Sequence, residues 1–224
     1  MTFSLAGRCA RTGMFGAIVT SSSPAVAARC ARARAGVGAA CTQNVTDPSL
    51  GNRLLDELER GRTATEAVDV VVREASYPAF RQLTVVDASG STATHSGDRT
   101  LGLYRVAQAQ EAVAAGNLLA SDKVPQAMVD AFEADPDAHL ADRLLAGLQA
   151  GEAAGGEEGP VHSCGIVVVD KVSWPVTDLR VDWGEDPITE LVAAWEVWRP
   201  QAEDYVTRAL DPTSAPSYGV PGDE

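Results

Sequence analysis

The strongest constraint on the fold is that the hydrophobic period switches in blocks. Strand-like segments come first, then two helices, then strands again, two more helices, and a last strand. Phe3 and Leu5 alternate with Ser4 and Ala6 almost from the first residue, and Arg11-Thr12-Gly13 turns that strand into a second one over Met14 to Ser21. Ala35 to Gln43 is small, apolar and glycine-punctuated, as expected of a closely packed third strand. Asp47-Pro48 opens a helix carrying Leu50, Leu54, Leu55 and Leu58, which Gly61 ends. Thr63 and Glu66 form a capping box for the next helix, with Ala67, Val70, Val71 and Ala75 inward. Leu83–Asp87 and Ser91–His95 flank Ala88-Ser89-Gly90 as a hairpin. Helices follow over Pro125–Glu133 and from Leu140 through Leu148 to the glycine-rich Gly151–Gly159 stretch. Cys164–Asp170 is a Val-rich strand buried on both faces, and Ile188–Trp198 is a terminal helix. Blocks of this kind bury their apolar faces by laying helices on sheets, so the chain is α+β and layered.

Composition narrows the function. The 224 residues suffice for one good-sized core, and 45% hydrophobic with 22% charged suits a folded globular chain. A net charge of −13, with Lys123 and Lys171 as the only lysines, argues against binding nucleic acid or an anionic membrane. Cys9, Cys30, Cys41 and Cys164 are scattered, without the pairing that zinc or a disulfide framework requires. Arg8, Arg11, Met14–Val19 and Ala25-Val26-Ala27 loosely imitate a secretory signal, but six apolar residues are short for its core and read better as a strand. No run approaches the roughly 20 apolar residues of a membrane span. The expectation is a cytoplasmic protein without a signal.

From Thr2-Phe3-Ser4-Leu5-Ala6 onward the sequence resembles the domain of unknown function 1028 family. The likeness runs through Ser22-Ser23-Pro24-Ala25-Val26, Ala33 to Ala39, Thr42-Gln43 and Val85-Val86-Asp87. It continues at Gly116-Asn117-Leu118-Leu119, Ala153 to Gly156 and Asp178 to Asp182. The resemblance implies membership of the N-terminal-nucleophile (Ntn) hydrolase superfamily. It also implies a four-layer αββα sandwich as a single domain over residues 1–198, with 199–224 as a C-terminal extension whose end, from Asp211, is a loose tail. The usual chemistry of that superfamily is amide hydrolysis by an N-terminal Thr, Ser or Cys, which makes Thr2, exposed by removal of Met1, the candidate nucleophile.

A threonine hydroxyl attacks poorly unless a base takes its proton. A freed α-amine, with a pKa of about 7.7–8.0, can be that base on the same residue. An oxyanion needs preorganised donors, and Asn117 after Gly116 is the better candidate beside the amides of Gln43 and Asn44. Ser21 and Ser22, ending the second strand, are candidates to orient the amine, although serine runs at strand ends are more often solvated turns. His95, leading into Ser96-Gly97-Asp98, is a third catalytic candidate. His139 reads as a surface residue at a helix start. His162 and Ser163 are candidates to line the substrate site. They follow Glu157-Glu158-Gly159-Pro160-Val161, where the family tends to carry an Arg/Gln-rich segment; loss of arginines there would alter any anionic-substrate pocket, so the relatives do not supply this chain's substrate.

Other patterns lead nowhere. Gly36-Val37-Gly38 lacks the third glycine of a dinucleotide fingerprint and no Walker lysine follows it. The acids are scattered, unlike a glycosidase pair. No metal or cofactor is expected. Trp174, Trp183, Trp195 and Trp198 either pack the C-terminal segment on the body or form an oligomer interface, with a homodimer as the expectation. The first reading is a hydrolase of a small amide or cyclic imide-like substrate with Thr2 as nucleophile. Its rival is a non-catalytic scaffold that binds a metabolite or a partner, and cysteine-based hydrolysis through Cys9 or Cys164 ranks last.

Overall fold

A computed structural model describes residues 1–222. It is a mixed α+β fold with two antiparallel sheets and seven α-helices among the described residues. The strands are β1 (Thr2–Arg8), β2 (Phe15–Ser21), β3 (Ala31–Arg34), β4 (Gly38–Asn44), β5 (Arg81–Asp87), β6 (Thr92–Ser96), β7 (Arg105–Ala109), β8 (Ala112–Asn117), β9 (Ser163–Val169) and β10 (Thr177–Val181). The helices are α1 (Val26–Cys30), α2 (Ser49–Glu59), α3 (Ala64–Glu74), α4 (Val124–Glu133), α5 (Leu140–Ala153), α6 (Pro187–Trp198) and α7 (Ala202–Leu210). One sheet has the order β10-β9-β2-β1-β8-β7 and the other β3-β4-β5-β6.

Period-two alternation divides the apolar residues among three clusters. Phe3, Leu5 and Ile18 pack with α4, α5 and α6 through Phe132, Leu144 and Leu191. Ala6, Phe15, Ala17 and Val19 meet Ala39, Cys41 and Val86 of the other sheet. Leu83 and Val85, on the opposite side of β5, pack with Leu54, Leu58 and Val71 of α2 and α3. In α3 the residues that turn inward are Ala64, Ala67, Val68 and Val71, so Val68 takes the place expected of Val70. Gly147 lets α5 lie close on β1, since a Cβ there would sit 2.6 Å from Leu5 Cδ2 and 3.0 Å from the Met128 carbonyl oxygen.

The glycine-punctuated third strand starts at Gly38 rather than Ala35, as β4, because Gly36 at φ +71° turns the chain out of the preceding strand β3. From Asp211 to Gly222 the chain is almost all exposed and runs in turns and irregular backbone. Arg208 at the end of α7 donates to the Pro216 carbonyl at 3.0 Å and lies 4.0 Å from the Tyr218 ring. Asp223 and Glu224 lie outside the described residues. Trp195 is buried and donates to Asp142 at 2.7 Å, packing α6 on the body, while Trp183 is exposed. No helix among the described residues is long and apolar enough to cross a membrane.

Asp87 joins the second sheet to α3. Burial pushes its carboxyl pKa up, but the Ser89 hydroxyl and the N–H groups of Ala64, Ser89 and Ser91 outweigh this and hold it below the ordinary value. A depressed folded-state pKa adds stability that is complete above the unfolded pKa of about 3.9 and is lost as pH falls through the folded value. Asp87→Asn is expected to cost about 1–3 kcal/mol at pH 7. It should also flatten the acid limb of the stability curve, as read by urea melts between pH 3 and pH 7.

Candidate active site

At one end of the space between the sheets the alternation persists but the residue type changes. On β1, Ala6 is followed toward the N-terminus by Ser4 and Thr2; on β2, Val19 gives way to Ser21. On β4, Cys41 gives way to Gln43, and on β5, Val86 leads through Thr84 to Gln82. On β8, Val113 leads to Asn117. Thr2 pairs with Asn117 across β1 and β8, and Ser21 with Ser163 across β2 and β9. Five strands thus end in hydroxyls and amides on one shared face, all of them buried.

The amides form a chain across the gap. Ser4 Oγ donates to Gln43 Oε1 at 2.6 Å, and Gln43 Nε2 donates to Gln82 Oε1 at 2.8 Å. Asn117 Nδ2 reaches the same Gln82 oxygen at 3.1 Å. Gln82 Nε2 donates to Ser96 Oγ and the Gly116 carbonyl, both at 3.2 Å. Such satisfaction is what makes a buried polar cluster tolerable, and it fixes each side chain's rotamer.

The hydroxyls gather around Thr2. Its Oγ1 lies 3.3 Å from Ser21 Oγ, and both hydroxyls donate to the Met1 carbonyl oxygen. Ser21 Oγ is 2.9 Å from Ser23 Oγ and accepts from the Ser23 N–H at 3.1 Å. Thr2 is 6% exposed, whereas Met1 beside it is 36% exposed, so only one residue separates the hydroxyl from solvent. Glu157 borders this group with a buried carboxyl. Desolvation pushes its pKa up to about 7, against the opposing pull of the amino terminus, Ser22 and His162.

The expected site residues divide. Thr2, Ser21, Gln43 and Asn117 come together. His162 is next to them through its backbone, whose N–H donates to the Ser21 carbonyl at 2.9 Å, while its ring stacks on Trp183 at 4.5 Å. Ser163 is spent on structure, donating to the Ser23 carbonyl at 2.6 Å and accepting from Val26 N–H at 3.1 Å. Asn44 lies one residue out of phase, on the other side of β4. It staples a loop through the Phe80 carbonyl at 2.6 Å and the Leu101 N–H at 3.1 Å.

His95 is a correction. It is paired with Leu83, shares that residue's helix-facing side of the sheet, and holds the Pro78 carbonyl at 3.0 Å, so the sheet separates it from Thr2. His139 is corrected too: it is half-buried, caps α5 by accepting from Ala141 N–H at 3.1 Å, and stacks on Trp195. Ser4, Gln82 and Glu157 were not foreseen. Parity with Thr2 and with Val86 marks the first two, but nothing local marks the third. Cys164 donates to the Pro187 carbonyl, and burial with three nearby acids pushes its thiol to about 12, too high for a neutral-pH nucleophile. Among the described residues no three His, Cys, Asp or Glu side chains gather as metal ligands.

The fold has known counterparts. A crystal structure of a Silicibacter pomeroyi protein, SPO2555, superposes with a TM-score of 0.83 at 27% identity, covering 91% of this chain and 89% of that one. Anbu (ancestral β-subunit) from Yersinia bercovieri aligns at 11% identity and a TM-score of 0.39, covering 91% of this chain and 97% of its own. An Anbu mutant from Hyphomicrobium aligns at 14% and 0.43, covering 91% and 96%; at these scores the likeness carries no inference. Comparison with curated protein sequences gives no match. The model of the family of unknown function DUF1028 matches residues 2–191, and the chain belongs to that family.

Proposed function

We propose that this chain is an Ntn-type amidohydrolase acting on a small amide or cyclic imide-like substrate. Its nucleophile is the Thr2 hydroxyl, which acts once Met1 has been removed. The observation that carries the reading is the position of Thr2: the first residue of a central strand, buried among hydroxyls, opposite Asn117 and one residue from solvent. The packing of α4, α5 and α6 on one sheet, the two sheets on each other, and α2 with α3 on the second supports the four-layer αββα arrangement of that class.

In this scheme the α-amine of Thr2 takes the Oγ1 proton as the oxygen attacks the substrate carbonyl carbon. Ser21 Oγ–H, which already donates to a carbonyl oxygen in the structure, and the Asn117 amide meet the developing oxyanion. Collapse breaks the C–N bond, the ammonium returns its proton to the leaving nitrogen, and the acyl group stays on Thr2 as an ester. Water, deprotonated by the same amine, then attacks the ester; the C–Oγ1 bond breaks, the ammonium returns the proton to Oγ1, and the acid leaves.

Thr2→Ala is expected to lower kcat by at least about a thousandfold while leaving the melting temperature nearly unchanged, and Thr2→Ser should retain measurable turnover. Steady-state assays over a panel of small amides, with intact-mass measurement of the active protein, check this. Turnover by protein that retains Met1, or by the alanine variant, would overturn the proposal and favour a ligand-binding scaffold.

A further inference from the structure

Resting on the hydrolase reading, we infer that the space held by Met1 is a subsite for a cationic amine. The substrate it fits is an α-amino-acyl amide whose free ammonium faces Glu157. Three walls define the space. Glu157 is 6% exposed; the Ser22 hydroxyl and N–H lie near enough to favour its charged form, yet neither carboxylate oxygen has a hydrogen bond of good geometry, one of the few buried side chains left in that state among the described residues. A buried carboxylate with so little compensation is costly, so it calls for a cation or a proton. The positive charge that acts most on it is the α-ammonium of Met1, ahead of His162.

The second wall is Gly159. A Cβ there would come within 3.3 Å of Met1 Cε, so the glycine leaves a shallow floor against the methionine side chain. The third is the hydroxyl pair Thr2 and Ser21, which holds the Met1 carbonyl oxygen. Met1 therefore presents an ammonium, a side chain and a carbonyl to three different surfaces, as a bound aminoacyl group would.

Those surfaces belong to the fold rather than to Met1. Glu157 bridges Leu119, and Glu158 N–H donates to the Leu118 carbonyl at 3.0 Å, so the acid is fastened to the chain leaving β8 just after Asn117. Gly155 and Gly156, at φ +127° and +59°, make the turn that brings it there. The surfaces stay in place when Met1 departs, and Glu157 is then left facing whatever enters. A neutral or anionic substrate group would leave the acid unpaired or repelled, which gives the site a preference for cations by exclusion as well as by attraction.

The test is calorimetric titration at pH 7 of full-length protein beginning at residue 2 and carrying Thr2→Ala, so that nothing is consumed. The probes are L-methioninamide, which is cationic, and N-acetyl-L-methioninamide, which is neutral. At least tenfold tighter binding of the cation is expected, and Glu157→Gln should erase the difference. Equal affinities, no binding of either probe, or discrimination that survives Glu157→Gln would overturn the inference. If Glu157→Gln fails to fold, the probe pair on the Thr2→Ala protein decides alone. Because binding is read without the nucleophile, the subsite can stand where turnover fails, and turnover can stand where the subsite fails.

Discussion

The pairing of β1 on both edges, with β2 and with β8, is what the rest of the structure depends on. Phe3 and Leu5 are committed to the helices by their size and burial, which commits Thr2, Ser4 and Ala6 to the opposite face. A slip of one residue would put Thr2 under α5 and aim Phe3 at the amides, so the apolar core and the polar site enforce each other's register. Arg8 locks the far end of the same strand, with Nη1 at 2.9 and 2.7 Å from the two Glu111 oxygens and its N–H donating to the Glu111 carbonyl.

Polar residues at the end of an inter-sheet core are expensive unless they satisfy one another. Here Gln82 does most of that work, accepting from Gln43 and Asn117 and donating to Ser96 and Gly116, so that both sheets share one amide hub. The hub restrains Asn117 beside Thr2 through neutral amide hydrogen bonds. The ionisable group at the site, Glu157, comes instead from the connection between α5 and β9, and it departs from the local rule of satisfaction.

Much of the architecture was legible because large residues carry a clear period. The Leu residues of α2, the Thr63–Glu66 capping box with both of its hydrogen bonds, the β5–β6 hairpin and the Val-rich β9 all lie where their patterns put them. Of the elements that went unread, β10 alternates plainly as Thr-Asp-Leu-Arg-Val and α7 is amphipathic, whereas three others are poor in that signal. β3 is Ala-Arg-Ala-Arg, β8 is nearly all alanine and glycine, and β7 is largely exposed, so neither size nor alternation marks them. Site residues followed the same logic. Thr2 and Ser21 lie on elements whose phase is fixed by neighbours such as Leu5 and Val19, whereas Asn117, on the unread β8, is marked only by its amide after Gly116. His95 was drawn toward the site by chemistry alone, although its pairing with Leu83 sends it to the other face. Glu157 came to light only as a departure in a glycine-rich segment, because its approach to Thr2 depends on two left-handed glycines and a bridge to Leu119.

The burial of Thr2 has a practical corollary for anyone handling the protein. Any residues placed ahead of Met1 would start beside Gly159, since β1 enters the sheet immediately and the Met1 side chain lies against that glycine. An affinity handle fused at that end would keep the Thr2 nitrogen in a peptide bond, so a preparation tagged there could not test the proposed amine-assisted chemistry. The opposite terminus follows the exposed helix α7, so a handle belongs there.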